Sequence, residues 1–145
     1  MTKGAGTCAP ADTLATAASV MWKHDCGMVP VVDGSKVVGV ITDRDIAIAL
    51  GSRARTAAEI LVGDVATRKP VTCFSEDKVE DALSKMKKSR VRRLPVVDGD
   101  GALLGVLSVA DLLHASKKKK SLRKEVFSTL RDISAPCPIV LSETH

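Results

Sequence analysis

The chain has 145 residues, 45% of them hydrophobic and 27% charged, which is the composition of a folded domain and excludes an intrinsically disordered chain. No apolar run approaches the roughly 20 residues of a membrane-spanning helix, and no unbroken apolar segment of the signal-peptide kind follows Lys3. The formal net charge of +5 comes from residues 117–124, KKKKSLRK, so the rest of the chain is close to neutral. We therefore expect a cytoplasmic protein with no membrane segment and a basic region near its C-terminus.

The cysteines predict free thiols. Cys8, Cys26, Cys73 and Cys137 show no CxxC spacing, which disfavours a zinc ribbon and a thioredoxin-like motif. Disulfides are rare in the cytoplasm, so we expect all of these side chains to be reduced.

The chain contains an internal repeat. Pro30 lies in VPVVDG and Pro95 lies in LPVVDG, an offset of 65 positions. The same offset superposes Thr7 on Thr72, Cys8 on Cys73, Ala17 on Ala82 and Met21 on Met86. One extra residue in the second copy makes the offset 66, and Asp45 then falls on Asp111. Self-similarity of this kind indicates two copies of one folding unit.

Both copies have the same predicted order of elements. A short extended segment, Thr-Cys, is followed by an amphipathic helix, by two β-rich runs around an Asp-Gly turn, and by a second helix. Asp-Gly between Val-rich runs is a strong β-hairpin signal. The order β-α-β-β-α, present twice, predicts an α+β fold.

The first helix of each copy has one apolar face with the i, i+3/i+4, i+7 spacing of a buried stripe. We expect N-caps at Asp12 or Thr13 in the first copy and at Ser75 or Asp77 in the second. The side chains predicted to be buried are Leu14, Ala17, Ala18 and Met21, then Val79, Ala82, Leu83 and Met86.

Three regions follow from this organisation. We expect the first repeat and a linking helix over residues 1–62, the second repeat over 63–115, and a basic C-terminal tail over 116–145. Thr56 and Glu59 have the spacing of a capping box, which indicates the linking helix. Within the tail, SLRKEVFSTLRDIS predicts one short helix whose apolar side chains are Leu122, Val126, Phe127 and Leu130.

Each copy ends its last strand in a hydroxyl followed three residues later by an acid. These pairs are Thr42 with Asp45 in GVITDRD, and Ser108 with Asp111 in GVLSVAD. The spacing is that of a capping box, which needs no ligand. A carboxylate also accepts hydrogen bonds from two adjacent ribose hydroxyls, and Arg44 beside a helix N-terminus suits a phosphate. Capping and ligand binding are compatible, so both interpretations stay open here.

The doubled pattern resembles the cystathionine-β-synthase (CBS) domain, in which an hPVVD strand and a turn precede a GhhT/SxxD strand end and a helix. The resemblance covers about residues 5–115 and includes the pairing of two domains in tandem. It implies two repeats packed about a pseudo-twofold axis, with two clefts that hold AMP, ADP, ATP, NAD or S-adenosylmethionine, and it implies a homodimer. We expect a regulatory module in which an adenine nucleotide biases the orientation of the repeats and so changes contact with an unknown effector protein.

The resemblance also implies roles for individual residues. Asp45 and Asp111 match the acid that holds the ribose hydroxyls, and Arg44 matches a phosphate-binding base. The other implied ligand-binding positions are Thr42, Ser108, Met28, Val29, Pro30, Arg93, Leu94, Pro95, Thr7, Cys8, Thr72 and Cys73. Residues 27–28, Gly-Met, become Arg-Arg at 92–93, so the two clefts are expected to differ in affinity.

Other functional classes receive less support. The chain has no GxxxxGK[ST], GxSxG or HExxH motif, so we expect neither an enzyme nor a catalytic cofactor. His24, Asp25 and Cys26 carry metal-binding atoms, but no second cluster completes a tetrahedral set, so no metal is expected. The alternative function is binding of nucleic acid or an acidic surface through residues 117–124. Deleting the tail distinguishes the two functions, because nucleotide binding should survive and polyanion binding should be lost. A purely structural dimerisation module is a third alternative.

Overall fold

The computed structural model describes residues 1–136, which form two α+β repeats in contact with each other. The elements in chain order are α1 (Leu14–His24), β1 (Met28–Asp33), β2 (Lys36–Thr42), α2 (Asp43–Ser52), α3 (Val62–Val65), β3 (Thr67–Arg68), β4 (Cys73–Phe74), α4 (Val79–Ser89), β5 (Arg93–Val97), β6 (Leu103–Ser108), α5 (Val109–Ala115), a 3-10 turn (Ser116–Lys118) and α6 (Lys120–Ser134).

Each repeat builds a three-stranded sheet around one hairpin. β1 is antiparallel to β2, with Gly34 at φ 65° in the turn, and β5 is antiparallel to β6, with Gly101 at φ 83°. The two predicted hairpins are therefore confirmed. The extended segment before each first helix differs between the repeats, because β4 runs parallel to β5 whereas Cys8 makes only an isolated parallel bridge to Val31.

The repeats exchange edge segments. β3 lies at the start of the second repeat but pairs with β2 of the first, and Thr2 at the start of the first repeat pairs with Val106 in β6 of the second. The tips of the two hairpins also meet, through a bridge between Lys36 and Ala102. This reciprocal arrangement is the predicted pseudo-twofold packing of two β-α-β-β-α repeats.

Each repeat has its own hydrophobic core between its sheet and its helices. The buried side chains of the first helices are Leu14, Ala17 and Met21 in α1 and Ala82, Leu83 and Met86 in α4. Two predicted core positions are wrong, since Ala18 is exposed and Val79 is 37% exposed. Ala18 lies one position past the buried stripe, at its solvent edge, and Val79 is the first residue of its helix.

The caps of the first helices differ between the repeats. Thr13 caps α1, as predicted, because its Oγ1 accepts a hydrogen bond from the amide three residues later at 3.3 Å. The prediction of Ser75 or Asp77 as the cap of α4 is wrong, because Lys78 occupies the N-cap position and makes no side-chain cap bond. Asp77 instead pairs with Lys85 at 2.9 Å.

The predicted linking helix is formed only as a single turn, α3. The Thr56 amide donates to Glu59 Oε2 at 3.1 Å, but residues 56–60 are a turn. The carbonyls of Ala57 and Ile60 accept hydrogen bonds from the amides at the start of α1, at 3.2 and 2.9 Å, instead of continuing a helix.

The C-terminal helix α6 is 15 residues long and packs on the second repeat. Val126 and Ile133 are buried in the core of that repeat, and Leu122 and Leu130 are packed against it. Phe127 was predicted to belong to this apolar face but is 70% exposed. It follows the buried Val126 by about 100° around the helix, which places its side chain in solvent.

Among residues 1–136, no helix has the length and hydropathy that crossing a bilayer requires. The thiols of Cys8, Cys26 and Cys73 are free, and Cys137 lies outside the described residues. Burial, with a further contribution from the Asp12 carboxylate, raises the pKa of the Cys8 thiol to about 11.

Candidate functional site

Both strand-end pairs form complete capping boxes. The Asp45 amide donates to Thr42 Oγ1 at 3.2 Å, and the Thr42 amide donates to Asp45 Oδ2 at 2.9 Å. In the second repeat the Asp111 amide donates to Ser108 Oγ at 3.1 Å, and the Ser108 amide donates to Asp111 Oδ2 at 2.9 Å. A carboxylate has about four acceptor sites, and the box uses one of them. The capping interpretation is confirmed, and it leaves each acid able to accept further hydrogen bonds.

Asp45 lies on the wall of a cleft of about 760 Å³ between the repeats, which we call the basic cleft. The first repeat lines it with Gly27, Met28, Val40, Thr42, Asp43, Arg44 and Asp45, and the later part of the chain lines it with Thr67, Lys69, Pro70, Val71, Ser89, Arg90, Val91, Arg92, Arg93, Pro95 and Ile133. Five cationic side chains and two acids therefore surround one cavity.

Asp111 lies on the wall of a second cavity of about 180 Å³, which we call the narrow cleft. Its lining is Thr2, Ala5, Gly6, His24, Asp25, Cys26, Met28, Arg93, Val106, Ser108 and Asp111. Each of these positions is related to a lining position of the basic cleft by the repeat offset of 65 or 66 residues. The pseudo-twofold axis thus relates the two cavities, and Met28 and Arg93, which are equivalent to each other, line both.

Substitutions between the copies make the two cavities chemically unequal. The basic residues Lys69, Arg90, Arg92 and Arg44 of the basic cleft correspond to Gly4, Asp25, Gly27 and Ala110. The narrow cleft carries Arg93 and His24 against two acids. Cationic side chains therefore outnumber acidic ones in the basic cleft and do not in the narrow cleft.

The N-terminal segment packs closely against α1 at the wall of the narrow cleft. A Cβ added at Gly6 would lie 2.5 Å from Val20 Cγ1 and 2.6 Å from His24 Cδ2, so a larger residue would require these side chains to shift. The equivalent residue in the basic cleft is Val71, whose side chain is exposed.

Backbone hydrogen bonds hold the loops that frame both cavities. The Asp43 amide donates to the Gly27 carbonyl at 3.0 Å, and in the second repeat the Val109 amide donates to the Arg92 carbonyl at 2.9 Å. Each loop after a first helix is thereby tied to the start of the second helix. This connection fixes the backbone from which Arg92 and Arg93 project.

The Asp111 carboxylate is held in its ionised form. Burial raises its pKa, but the amide and hydroxyl of Ser108 and the Met1 ammonium group, 3.7 Å from Oδ2, lower it by more, and the net pKa is below the ordinary value. An ionised carboxylate is the form that accepts strong, charge-assisted hydrogen bonds.

The predicted site residues fall into two groups. Those that line the basic cleft are Thr42, Arg44, Asp45, Met28, Arg93 and Pro95, and Ser108 and Asp111 line the narrow cleft with Met28 and Arg93. Thr7, Cys8, Thr72, Cys73, Val29, Pro30 and Leu94 are not among the lining residues of either cavity. Val29 and Leu94 are fully buried in the two cores, because alternate residues of a strand face opposite sides of its sheet.

Several lining residues were absent from the sequence-based assignment. Lys69 and Val71 lie just before the Thr-Cys segment of the second repeat. The position of that segment in the repeat could have identified them as lining residues. Arg90 directly follows α4 and adopts the left-handed conformation, with φ 54°. Its equivalent Asp25 follows α1 in the same conformation, with φ 47°. Ile133 had no signal at all, because α6 has no counterpart in the first half of the chain.

Within residues 1–136, no group of three or more His, Cys, Asp and Glu side chains is close enough to bind a metal ion. His24, Asp25 and Cys26 all line the narrow cleft, as does Asp111, but these side chains do not form such a group.

Two similar α+β repeats with two cavities at their junction define a class of paired-repeat domains. The pattern of the CBS domain family matches residues 1–52 and 62–118, and the chain belongs to this family.

Two curated relatives illustrate the range of proteins that carry this pair. The chain is 35% identical over 112 residues to the CBS domain-containing protein YhcV of Bacillus subtilis, covering 77% of this chain and 79% of YhcV. It is 34% identical over 119 residues to inosine-5'-monophosphate dehydrogenase of Methanocaldococcus jannaschii, covering 81% of this chain but only 23% of that enzyme. The similarity to the enzyme is confined to its CBS part.

Among solved structures, the fold resembles that of CBSX2, which was crystallised in complex with AMP. The TM-score is 0.66 at 25% sequence identity, covering 78% of this chain and 87% of CBSX2.

Proposed function

We propose that this protein is a non-catalytic regulatory module that binds an adenosine-containing nucleotide in the basic cleft, with AMP or ATP favoured over NAD. The observation that carries the proposal is that one cavity joins the Asp45 carboxylate of the first repeat to Arg92 and Arg93 of the second. A nucleotide needs both groups, an acceptor for its ribose and cations for its phosphates. The complex of the relative CBSX2 with AMP supports the same class of ligand.

Asp45 is the proposed ribose acceptor. Its Oδ2 is fixed by the Thr42 amide at 2.9 Å, so the carboxylate is oriented before any ligand arrives. Two hydroxyls on adjacent carbons match the spacing of the two oxygens of one carboxylate, and hydrogen bonds to an ionised acceptor are roughly twice as strong as neutral ones.

The cationic side of the cleft is the proposed phosphate subsite. Arg44 projects from the start of α2, and Lys69, Arg92 and Arg93 approach from the second repeat. The planar fork of an arginine donates two parallel hydrogen bonds to phosphate oxygens. Cations from both repeats would meet on one phosphate chain, so a bound nucleotide would bridge the repeats and bias their relative orientation.

The size of the cavities supports binding in the basic cleft. Ligand pockets are typically about 300–1,000 Å³, and the volume of about 760 Å³ lies in that range. The narrow cleft, at about 180 Å³, lies below it. The apolar walls Met28, Val71, Val91 and Pro95 suit the faces of an adenine ring. We therefore expect one nucleotide per chain.

Native mass spectrometry with matched ligands tests this function. ATP should bind once per chain, and 2′,3′-dideoxy-ATP, which lacks both ribose hydroxyls, should bind roughly tenfold more weakly because the charge-assisted hydrogen bonds to Asp45 are lost. Equal binding of the two compounds would contradict the role of Asp45. Failure of AMP, ATP and NAD alike to bind would contradict the whole proposal.

A homodimer is the proposed assembly, and the cytoplasm is the proposed location. Trp22 is 90% exposed beside a groove of about 690 Å³ on the α1 and α2 face of the first repeat, and Ile48 on α2 is exposed as well. The equivalent face of the second repeat is covered by α6. Exposed apolar surface of this kind supports association of two first-repeat faces.

One observation favours a second candidate function, the binding of nucleic acid or another polyanion. Residues 117–120 are four consecutive exposed lysines, and Lys124 on the next turn of α6 is exposed too. Binding through this surface should weaken steeply with salt, because each phosphate contact releases counterions.

A further inference from the structure

We infer that helix α6 forms a third wall of the basic cleft, and that a nucleotide in the cleft holds the last turn of α6 in place. The inference rests on the proposed function and adds to it the element that responds to the ligand. Arg90 and Ile133 thereby gain roles in the site, although neither belongs to the hydroxyl-acid motif that ends the last strand of each repeat.

Two contacts join the end of α6 to the cleft. Ile133, in the last turn of α6, is buried and lines the cavity. Arg90, which also lines the cavity, donates a hydrogen bond from Nη2 to the carbonyl of Ala135, the residue that ends α6. One side chain therefore touches both the ligand space and the helix end.

Arg90 stands on a rigid support. It is the C-cap of α4 in the left-handed conformation, and its amide donates to the carbonyls of Lys87 and Met86. The neighbouring Lys87 Nζ is 2.8 Å from Asp132 Oδ2 on α6, so an ion pair joins the same two helices one turn away. Motion of the α6 end is thus coupled to the position of Arg90.

The chemistry of the guanidinium gives the direction of the effect. It has five N–H donors in a fixed plane, so Arg90 can hold the Ala135 carbonyl and donate to a phosphate at the same time. A bound phosphate fixes the guanidinium and thereby the carbonyl that it holds. The coupling is reciprocal by thermodynamic linkage. The factor by which the nucleotide favours the ordered end of α6 equals the factor by which disorder of that end lowers nucleotide affinity.

The other end of α6 connects this response to the protein surface. The lysines at 117–120 lead into the helix, and Phe127 is exposed on its outer face. A change in the order of α6 therefore alters an exposed basic and aromatic surface. The expectation that nucleotide binding survives deletion of the tail is reversed here, because the deletion removes a cleft wall and two core residues, Val126 and Ile133.

Amide hydrogen exchange of the full chain, with and without ATP, tests the inference. ATP should slow exchange in residues 42–45, which reports occupancy of the cleft, and also in residues 128–134 at the end of α6. Arg90→Asn, a residue type that accepts the left-handed conformation, should bind ATP roughly tenfold more weakly and lose the protection of 128–134 at saturating ATP. Lys88→Asn, the same change of charge on an exposed residue of α4 outside the cleft, should keep both.

A second variant separates charge from bridging. Arg90→Lys keeps the cation but lacks the fork, so ATP should still protect 42–45 while the protection of 128–134 falls. Protection of 42–45 without any change at 128–134 in the wild type would overturn the inference and leave the proposed function standing. No protection of 42–45 by ATP would instead overturn the proposed function, and the inference with it.

Discussion

Thr2 and Thr67 lie 65 residues apart in the sequence, and each pairs with the sheet of the opposite repeat. The Thr2 amide donates to the Val106 carbonyl at 2.9 Å, the Val106 amide donates to the Thr2 carbonyl at 3.2 Å, and Thr67 lies opposite Val40 in β2. Backbone hydrogen bonds therefore fix how the two repeats meet. Because Thr67 and Val40 also line the basic cleft, the shape of that cleft depends on the same pairing.

Gly39→Ala should weaken the junction between the repeats. A Cβ at this position would lie 2.7 Å from the carbonyl oxygen of Thr67, a backbone atom that moves only if β3 moves. We expect the free energy of unfolding to fall by about 1–3 kcal/mol. Gly99→Ala is the control, since nothing lies within 4 Å of its Cβ, and it should change stability by less than about 0.5 kcal/mol. Urea denaturation of both variants checks this, and equal stability of the two would contradict the account of the junction.

The repeat was the most informative feature of the sequence. Its offset predicted the two hairpins, the capping boxes at Thr42 and Ser108, and the pairing of two like units, because all of these depend on local spacing. The same repeat pattern also singled out Asp45 and Arg93, which line the basic cleft.

The parts that the sequence did not predict depend on contacts between distant segments. The spacing of Phe127 from the other apolar residues of α6 is compatible with a buried position. Packing against the second repeat instead buries Val126 and Ile133 and leaves Phe127 exposed. Val29 and Leu94 precede the prolines of a pattern that is associated with ligand binding. The structure shows that the side chains of both residues point into the cores. The unequal size of the two clefts, about 760 and 180 Å³, is a further feature that the sequence did not predict.

Replacing Lys117, Lys118, Lys119 and Lys120 with glutamine tests the polyanion-binding alternative without removing α6. If this surface binds DNA, the slope of log affinity against log salt should fall by about 3 to 4, since four phosphate contacts are lost. Nucleotide binding should stay unchanged, because these residues lie outside the basic cleft. Fluorescence anisotropy with a short duplex at several salt concentrations measures the slope. An unchanged slope would exclude these lysines as the contact.

Alkylation of the cysteines should distinguish the two clefts. At about pH 8 a thiol with a pKa of about 11 is a thiolate in only about one molecule in a thousand, so Cys8 should react very slowly with iodoacetamide. Burial also raises the pKa of Cys73, whereas Cys26 lines the narrow cleft and should react before Cys8 and Cys73. ATP should not slow the reaction of Cys26, as followed by peptide mass spectrometry. Protection of Cys26 by ATP would place the nucleotide in the narrow cleft.

Asp77→Asn should lower the free energy of unfolding at any pH where the Asp77 carboxylate is ionised. The hydrogen bond from Lys85 comes first among the causes that lower the pKa of Asp77 below 3.8, and the amide of Phe74 contributes as well. A lowered pKa in the folded state means that the stabilisation is present above the unfolded-state pKa and is lost as the pH falls through the folded-state pKa. The wild type should therefore be more stable than Asp77→Asn near neutral pH, and the difference should shrink in acid below pH 3.8, as the Asp77 carboxylate of the folded state becomes protonated. Urea unfolding at both pH values measures the difference, and a difference independent of pH would contradict this role.

Calorimetric titration of ATP into Asp45→Asn and Asp111→Asn tests the central claim most directly. Both variants change one strand-end acid within an equivalent capping box, so their effects on helix capping are matched. If the nucleotide lies in the basic cleft with its ribose on Asp45, Asp45→Asn should lower ATP affinity roughly tenfold and Asp111→Asn should leave it within about twofold of the wild type. Equal loss in both variants, or a loss confined to Asp111→Asn, would contradict the claim.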